Sequence, residues 1–321
     1  MKSLTFAMPM LLAATISESA RADVLQLSVA DGKVMAGNVP ANLAGVSLFW
    51  SNTGWGGDKF YTRDMVKHLK DEWRASVIRI PVGVEASGGY LEDQHANMAR
   101  AETVIQAAIN LYMYVIVDWH SHEAELYEEA AVAFFRRIAS KYGRYPNVIY
   151  EIYNEPEGNT KDKPKPPPNV HWDETIKPYA ERVIQAIRSV DQNNLIVVGT
   201  PRWSQDVDVA SRAPIAGTNI AYALHFYADS HGEPQQNKAR DALANKLPLF
   251  VTEWGSVSSN GDGQVNREQT EAWMRFLRSN DISHVSWAIN DKAEGASAYF
   301  PDMTLTPSGK LAKEIVESWS K

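Results

Sequence analysis

Short apolar segments alternate with amphipathic segments along most of the chain. The short segments are rich in β-branched and aromatic residues and are bounded by polar residues, glycine or proline, a pattern typical of buried strands. Many are apolar on both faces, as strands of parallel sheets covered by helices are. They predict eight strands, namely Gly45–Trp50, Val77–Pro81, Met113–Trp119, Val148–Tyr153, Leu195–Gly199, Ile220–Phe226, Leu249–Thr252 and His284–Trp287.

The segments between these strands carry apolar residues three and four positions apart, which places them on one face of a helix. A helix over Arg267–Arg278 begins with Asn266 and Gln269 in the spacing of a capping box. A sixth helix, around Lys238 to Asn245, is weakly marked. The other predicted faces are Met65, Val66, Leu69 and Trp73; Val104, Ile105, Ala108 and Ile109; Leu126, Phe134, Phe135 and Ile138; Ile176, Tyr179, Val183, Ile184, Ile187 and Val190; and Leu311, Ile315 and Trp319.

Repeated strand and helix units favour parallel pairing, and eight such units favour closure into a single (β/α)8 TIM barrel, an α/β fold. No glycine-rich fingerprint follows the first strand, which weakens the alternative of an open doubly wound sheet. The segment from Val24 to Pro40 predicts a short hairpin around Asp31 and Gly32 that caps the barrel floor. We find no linker or repeat, so residues 23–321 are predicted to form one domain.

The first 22 residues have the features of a secretory signal peptide. Lys2 precedes an apolar run from Leu4 to Leu12, and Ala20-Arg21-Ala22 matches the small-x-small cleavage pattern. Cleavage is expected after Ala22, and the mature chain is expected to be secreted, to the periplasm or the exterior. The alternative is an N-terminal segment retained in a cytosolic protein.

Composition narrows the classes of function. The chain has no cysteine, which removes disulfides, thiolate metal sites and cysteine nucleophiles. Its formal net charge is −7 and its basic residues are dispersed, so nucleic acid is not an expected partner. No apolar stretch after the leader is long enough for a transmembrane helix, so no membrane partner is expected either.

Polar and aromatic residues gather where the predicted strands end. In a parallel barrel the C-terminal strand ends form one open face, where such barrels keep their active sites. The fourth strand stops at Asn154-Glu155-Pro156, because proline cannot continue the ladder, and the seventh is followed by Glu253. Two glutamates facing each other across a cleft are what hydrolysis of a glycosidic bond requires. The other strand ends supply Arg79, His120, His225, Tyr227 and Trp287.

The segments IYNEP around Glu155 and TEWG around Glu253 resemble those of glycoside hydrolase family 5, in clan A. The resemblance extends to VIRIP, VDWHSH, HFY, PRWSQD and SWAINDK, in this order along nearly the whole chain after the leader. It is closest to the bacterial endoglucanases, or cellulases. A lone NEP motif is weak support, whereas these motifs together on an eight-strand pattern are specific.

The resemblance implies a retaining double displacement, with Glu155 as general acid/base and Glu253 as the nucleophile that forms a covalent glycosyl-enzyme. The carboxyl groups are then expected to lie roughly 5 to 5.5 Å apart. By the same match, Arg79 and Tyr227 would hydrogen-bond Glu253 and keep it ionised. The pKa of Glu155 must be raised for it to act as an acid near neutral pH, and Glu253 is expected to raise it.

The resemblance also implies roles for other residues. Asn154 would hold the 2-hydroxyl of the sugar, and His120 and His225 would position the sugar at the cleavage point. Lys292 and Glu294 resemble residues that contact the neighbouring glucose in related endoglucanases. As isolated charges they could equally belong to a solvated loop.

Three tryptophans in polar loops are candidates for stacking on sugar rings. Sugar C–H groups pack on an aromatic face while the hydroxyls stay available for hydrogen bonds. The candidates are Trp55 in NTGWGG, Trp203 in PRWSQD and Trp287 in SWAIND. The alternative is that these side chains only close the top of the barrel.

Some features admit other interpretations. His120, His122 and Glu123 could suggest a metal site, but a metal needs further ligands and supporting hydrogen bonds, so neither metal nor cofactor is predicted. Glu151 shares the strand parity of Glu155 but lies below the rim, which favours a buried structural role. The proline-rich segment 159–170 is predicted to be either part of the cleft wall or an exposed loop.

These inferences predict a secreted, monomeric, retaining endo-β-1,4-glucanase that hydrolyses internal bonds of cellulose or related β-glucans, with residues 23–321 as its catalytic domain. One alternative is an endo-β-glycanase acting on mannan, xylan or mixed-linkage glucan, because loops decide the substrate. A second is a noncatalytic polysaccharide-binding protein that has kept the cleft. The presence of both glutamates and their predicted partners argues against the second alternative.

Overall fold

The structure, a computed structural model, describes residues 24–157 and 171–319. The described chain begins with a small antiparallel sheet that covers one end of a larger barrel. Leu27 and Val34 of this sheet pack among residues at the N-terminal ends of the barrel strands, such as Val77 and Ile149. The predicted cap on the barrel floor is confirmed, with one strand more than the hairpin. Its strands are β1 (Leu27–Ala30), β2 (Lys33–Ala36) and β3 (Val39–Pro40).

Within the described ranges, eight parallel strands close into the barrel, each paired with its neighbours in chain order. The last strand pairs with the first, so the predicted (β/α)8 barrel is confirmed. All eight predicted strands are present, with bounds that differ by a few residues. They are β4 (Ala44–Leu48), β5 (Val77–Gly83), β6 (Tyr114–His120), β7 (Val148–Glu151), β8 (Ile196–Val198), β9 (Ile220–Tyr227), β10 (Leu249–Gly255) and β11 (His284–Ile289).

Helices connect the strands and cover the outside of the barrel. None of those in the described residues is long and apolar enough to cross a membrane. They are α1 (Arg63–Glu72), α2 (Gln94–Asn110), α3 (Glu128–Tyr142), α4 (Lys177–Arg188), α5 (Val207–Arg212), α6 (Glu233–Ala244), α7 (Arg267–Ser279) and α8 (Pro307–Trp319), with shorter helical turns at Asp58–Phe60, Ala124–Tyr127, Trp172–Ile176 and Pro201–Ser204.

Most residues of the predicted helical faces are buried or partly buried, but two are exposed. Leu126 is 62% exposed because it lies in the turn before α3, and Val190 is 44% exposed because α4 has already ended. The sixth helix begins earlier than predicted, at Glu233, since Pro234 is favourable in a first helical turn. Asn266 caps α7 as predicted, accepting from the backbone N–H of Gln269 at 3.1 Å.

Strand parity explains why charged side chains lie inside the barrel. Because side chains alternate along a strand, residues two positions beyond an inner core residue face inward again. Arg79, Asp118 and Glu151 stand in this position, and all three are fully buried. They form a polar layer between the apolar floor and the open C-terminal end, above the inner core residues Val77, Ile116 and Ile149.

Candidate active site

Glu253 faces the inside of the barrel because β10 is irregular near its open end. Phe250 belongs to the inner core, so simple alternation would turn Glu253 outward. The pairing with β9 shifts register between Phe250 and Glu253, and the pairing with β11 shifts between Val251 and Trp254. This irregularity, of the β-bulge type, lets both Thr252 and Glu253 bond to inner residues.

Glu155 enters the cleft from the segment that follows β7. The strand ends at Glu151, and Pro156 prevents the ladder from continuing. The backbone N–H of Trp203 donates to the carbonyl of Pro156 at 3.0 Å and holds this segment in place. One carboxylate oxygen of Glu155 and one of Glu253 lie within 4.8 Å of each other. The structure therefore brings the two predicted glutamates together.

Two donors hold the carboxylate of Glu253. Arg79 donates from Nη1 to Oε2 at 2.8 Å, and the Tyr227 hydroxyl donates to Oε1 at 2.8 Å. Tyr227 can occupy this place because residue 255 is glycine: a Cβ there would lie 2.3 Å from the Tyr227 ring. Both hydrogen bonds expected from the sequence are present, and both favour the ionised form of Glu253.

Glu155 is held by a histidine instead of an arginine. Its Oε1 lies 3.0 Å from Nδ1 of His225, and Nε2 of His225 lies 2.8 Å from the Thr252 hydroxyl. On the other side, Nδ1 of His122 lies 3.7 Å from Oε2 of Glu155. Both nitrogens of His225 thus have protein partners, and its contact with a sugar stays a prediction.

The pKa values of these groups depend on one another. Burial lowers the pKa of His225, but the nearby carboxylates of Glu151 and Glu155 raise it to about 9. Burial raises the pKa of Glu155, yet the hydrogen bond and charge of His225 outweigh this and lower it. Burial and the charge of Glu155 raise the pKa of Glu253, against the opposing effect of Arg79. These shifts favour a protonated His225 beside an ionised Glu155 at neutral pH.

The predicted net rise in the pKa of Glu155 is wrong: the pKa is lowered, because the hydrogen bond and charge of His225 outweigh burial. The sequence did not show that His225 bonds to Glu155, and this bond stabilises the carboxylate. Nδ1 of His225 lies 3.0 Å from Oε1 of Glu155, close enough for the two side chains to share a proton.

Asn154 and His120 lie beside the same buried charges. Asn154 accepts from Nη2 of Arg79 at 2.6 Å, and Nδ1 of His120 lies 2.6 Å from the Asp118 carboxylate. Burial and the charge of Arg79 hold the pKa of His120 well below its usual range. The ring of His120 stacks on Trp287, with centroids 5.3 Å apart. His120 is therefore neutral, and it can offer a sugar a hydrogen bond but no charge.

Aromatic residues line the side of the cleft formed by β4, β6 and β11. Trp50 lies edge-on to His120 with ring centroids 4.2 Å apart, and 5.1 Å from Trp55. Trp50 therefore lies between Trp55 and the stacked rings of His120 and Trp287. Sequence analysis did not select Trp50, although it stands at the end of the first predicted strand and the rule used for the other strand ends would have found it.

Trp203 lies on the opposite side, where it lines a cavity of about 570 Å³ together with Glu155 and Tyr227. Trp203 and Ser204 have φ angles of 57° and 56°, in the left-handed region that few non-glycine residues adopt. The Ser204 hydroxyl donates to the carbonyl of Asn154 at 2.7 Å. The turn that carries Trp203 is thus anchored to the segment that carries Glu155.

Lys292 and Glu294 are not isolated charges. Nζ of Lys292 lies 3.2 Å from a carboxylate oxygen of Glu294 and 4.5 Å from the centre of the Phe49 ring. Phe49 packs on Trp287 at 5.5 Å, and Glu294 accepts from Asn290 at 3.0 Å. The pair therefore lies near the Trp287 side of the cleft.

Two further residues of the site were missed. Asp118 contacts His120, and a signal existed, because residues two positions apart on a strand share a face. Thr252 donates to Glu151 at 2.6 Å. The sequence offered no signal for Thr252, since alternation alone does not place it on the same side as Glu253.

Among the described residues, one group has ligand atoms close enough to hold a metal ion, and it consists of Glu155, His225 and Glu253. His120, His122 and Glu123 form no such group in this part of the chain. Both nitrogens of His225 already have protein partners, so the group is better suited to acid–base chemistry. The predicted leader and the segment 159–170 lie outside the described residues.

The known sequences to which this chain is similar include cellulases and endoglucanases. The family model for cellulase (glycosyl hydrolase family 5) matches residues 34–293. Endoglucanase Z of Dickeya dadantii is 55% identical over 307 residues, covering 95% of this chain and 70% of that protein. An endoglucanase of Clostridium saccharobutylicum is 38% identical over 80% of this chain. The chain spans 58% of the length of this second relative.

Solved structures resemble the barrel over most of its length. A chain from Cytophaga hutchinsonii has a TM-score of 0.84 at 42% identity, covering 91% of this chain and 94% of that one. The catalytic domain of Thermobifida fusca endoglucanase Cel5A has a TM-score of 0.82 at 28% identity, covering 91% and 97%. A variant of that domain was solved in complex with cellotetraose.

Proposed function

This chain belongs to the cellulase family, glycoside hydrolase family 5, and we propose that it is a retaining endo-β-1,4-glucanase. The observation that carries the proposal is the separation of no more than 4.8 Å between carboxylate oxygens of Glu155 and Glu253. Retaining glycosidases hold their carboxyl groups about 5 to 5.5 Å apart, whereas inverting ones need about 6.5 to 9.5 Å to admit a water. The identity to Endoglucanase Z supports β-1,4-glucan as the substrate.

In the first step, a carboxylate oxygen of Glu253 forms a bond to the anomeric carbon while the bond from that carbon to the leaving oxygen breaks. The leaving oxygen takes a proton from Glu155. The His225–Glu155 pair supplies this proton, which moves along their 3.0 Å hydrogen bond as negative charge develops on the leaving oxygen.

In the second step, Glu155 takes a proton from a water that attacks the anomeric carbon. The bond to Glu253 breaks, and the electron pair returns to its carboxylate. Arg79 and Tyr227 stabilise that carboxylate as it re-forms, because both donate hydrogen bonds to it. Two inversions restore the β configuration in the product.

The remaining predicted residues would bind the sugar chain. Trp50, Trp55 and Trp287 would stack on rings on one side of the cleavage point, with Lys292 and Glu294 beside them. Trp203 would stack on the ring on the other side, in the 570 Å³ cavity. Asn154 and His120 are placed to bond hydroxyls of the sugar under attack. The rings of Trp55, Trp203 and Trp287 are all partly exposed, as sugar stacking requires.

Replacing the nucleophile tests the mechanism directly. Glu253→Gly should abolish hydrolysis, and added azide should restore turnover of an activated β-glucoside by occupying the vacated space. Because azide would attack from the face opposite the leaving group, the product should be the α-glycosyl azide, identifiable by NMR. Hydrolysis at the wild-type rate in this variant, or a β-glycosyl azide, would remove Glu253 from the role.

The substrate is tested by comparing new reducing ends from carboxymethylcellulose, barley glucan, mannan and xylan. The proposal expects the highest kcat/KM on the two glucans, with a fast fall in viscosity because internal bonds are cut. Preference for mannan or xylan would favour the alternative endo-β-glycanase. Binding without turnover on all four would favour a noncatalytic polysaccharide-binding protein.

We further propose that the protein acts outside the cytoplasm as a monomer. The leader pattern of residues 1–22 supports secretion. Mass spectrometry of the exported protein should show a chain beginning at Asp23, and size-exclusion chromatography with light scattering should give the monomer mass. An intact Met1 terminus or a larger mass would contradict the respective proposal.

A further inference from the structure

Glu151 is a buried carboxylate that the proposed mechanism does not use. Its side chain is fully buried. Its Oε2 accepts from Nε of Arg79 at 2.7 Å, and its Oε1 accepts from Nη2 of Arg79 at 3.2 Å and from the Thr252 hydroxyl at 2.6 Å. A carboxylate that receives a guanidinium through two bonds is ionised and can only accept. Thr252 must therefore donate its single proton to Glu151.

Two chains of hydrogen bonds, here called arms, start at Glu151, and the first runs through Arg79 to the proposed nucleophile, Glu253. The guanidinium of Arg79 uses Nε and Nη2 on Glu151 and Nη1 on Glu253, at 2.8 Å. The guanidinium is planar, so fixing two of its nitrogens also fixes the direction of the third. Nη2 also contacts Asn154 at 2.6 Å and Asp118 at 3.0 Å, whereas Glu151 alone holds Nε. Glu151 thus helps to determine where Arg79 presents its donor to Glu253.

The other arm reaches the proposed acid/base. Since the Thr252 proton is used on Glu151, the Thr252 oxygen can only accept from His225, so Nε2 of His225 carries a hydrogen. Nδ1 then faces Oε1 of Glu155 at 3.0 Å. It either accepts the acid proton of Glu155 or donates to its carboxylate. In both forms one proton is shared by the pair.

We propose that Glu151 is a positioning residue of this site, which orients Arg79 toward Glu253 and, through Thr252, holds His225 in the form that shares a proton with Glu155. This role rests on the proposed glucanase function. It adds that Glu151 links Arg79, which bonds Glu253, to His225, which bonds Glu155. The buried structural role expected from the sequence is confirmed by the burial, and the contacts extend it.

The charge of Glu151 also acts on His225 directly, because its Oε1 lies 3.6 Å from Nε2 of His225. Burial has the largest effect on the pKa of His225 and lowers it, and among the groups that raise it Glu151 has the largest effect. Several other groups face the same space and act on the same proton. They are Arg79 on β5, Asp118 and His120 on β6, Glu155 and His122 beyond the ends of β7 and β6, Tyr227 on β9 and Glu253 on β10.

Glu151→Gln keeps the shape of the side chain but replaces one carboxylate oxygen, which accepts hydrogen bonds, with an amide nitrogen, which donates them. If the amide nitrogen takes the place of Oε2, it meets the Nε–H of Arg79. If it takes the place of Oε1, it faces the Thr252 hydroxyl, which must then accept from it and donate to His225. His225 then carries no hydrogen on Nε2, so its ring is neutral and keeps its single hydrogen on Nδ1, bonded to a deprotonated Glu155. Either orientation disturbs one of the two arms.

We expect Glu151→Gln to lower kcat about 10-fold or more with little change in KM, because Glu151 does not reach the substrate. The alkaline limb of the pH–kcat profile should move to lower pH by about one unit, since the loss of a nearby opposite charge lowers the pKa of His225. Thr252→Val should move the limb in the same direction, because it breaks only the arm to Glu155. Thr252→Ser retains the hydroxyl and should move it less than Thr252→Val.

Asp191→Asn is the matched control for loss of a buried carboxylate. Asp191 is 4% exposed and accepts from the Tyr150 hydroxyl at 2.7 Å and from the backbone N–H of Asn193 at 2.9 Å. It has no contact with the cleft residues, so Asp191→Asn should lower the melting temperature without moving the alkaline limb. A folded Glu151→Gln with the wild-type kcat and limb would overturn the proposal. If Glu151→Gln does not fold, an unmoved limb in Thr252→Val overturns it.

A second measurement does not depend on turnover and separates this proposal from the function. Nitrogen-15 NMR of labelled histidine reports which ring nitrogens carry a hydrogen, with His225 assigned by its loss in His225→Gln. The wild type should show Nε2–H at His225, and its signals should change in Glu151→Gln and Thr252→Val. Unchanged signals in both variants overturn the positioning role. A wild type inactive on every β-glycan overturns the glucanase function, whatever the spectra show.

Discussion

At the scale of single residues, the Tyr227 hydroxyl stabilises the ionised form of Glu253 without adding a charge. Tyr227→Phe removes this donor and leaves Arg79 to hold the carboxylate. We expect kcat/KM to fall about 10- to 100-fold, because a hydrogen bond to a charged group contributes about 1.5 to 3 kcal/mol. The pKa of Glu253 should rise, since the bond from Tyr227 lowers it, so the acid limb of the pH–kcat/KM profile should move to higher pH.

Tyr150→Phe is a matched control for the loss of a buried hydroxyl. Tyr150 donates to Asp191 at 2.7 Å and packs against Phe135 on the outside of the barrel. This variant should lower the melting temperature and keep both kcat/KM and the acid limb. An unchanged kcat/KM in Tyr227→Phe would show that Arg79 alone is sufficient to support Glu253.

The sequence predicted the residues of the site better than their partners. Glu155, Glu253, Arg79 and Tyr227 follow from strand ends and from a family resemblance, and the structure contains the hydrogen bonds expected of them. The bond from His225 to Glu155 was not predicted, because strand ends alone do not show which cleft side chains meet and the resemblance supplied partners only for Glu253. The direction of the pKa shift of Glu155 was therefore also missed.

At the scale of elements, the four-residue turn Pro201–Ser204 fixes the direction of Trp203. Ser204 accepts from the backbone N–H of Thr200 at 3.2 Å and donates to the carbonyl of Asn154 at 2.7 Å. The left-handed φ angles of this turn are costly, so other contacts must hold them. The Ser204 hydroxyl is one such contact, and it joins the turn to the segment before Glu155.

Ser204→Ala removes both of these hydrogen bonds while keeping a small side chain. The turn should loosen and Trp203 should lose its fixed position, so KM for long cello-oligosaccharides should rise about 3- to 10-fold, with a smaller change in kcat. Ser211→Ala is the control, because Ser211 is also buried and its hydroxyl donates within α5, to Asp208 at 2.7 Å. Equal KM values for the two variants would contradict the anchoring role.

Elements with regular periodicity were predictable, whereas irregular ones were not. The strands follow from short apolar runs rich in β-branched and aromatic residues, and most helices follow from spacings of three and four residues. The register shift before Glu253 and the left-handed turn at Trp203 depart from these regular patterns. Both are set by contacts with neighbouring strands and loops, so the local sequence carried no signal for them, and both lie at the candidate site.

At the scale of the whole molecule, His284 makes the stability of the barrel depend on pH. It lies at the start of β11, outside the barrel, where its Nδ1 accepts from Nε1 of Trp254 at 3.0 Å and its ring packs edge-on against Trp319. Burial, aided by the charge of Arg278, lowers the pKa of His284 to about 3. A charged imidazolium would lose the bond from Trp254, so the fold favours the neutral ring.

The sign of the pH effect follows from the two states. Above about pH 6.5, the usual pKa of histidine, His284 is neutral in both states and contributes no pH dependence. Below that pH, the unfolded chain binds a proton that the folded chain does not, so the free energy of unfolding falls by up to about 1.4 kcal/mol per pH unit, until about pH 3.

His284→Gln can still accept from Trp254 but cannot titrate. Its free energy of unfolding, measured by urea denaturation between pH 6 and 4, should therefore fall less steeply with pH than that of the wild type. His95→Gln, on the exposed side of α2, should keep the wild-type slope. Equal slopes for wild type and His284→Gln would show that the buried ring does not link folding to pH.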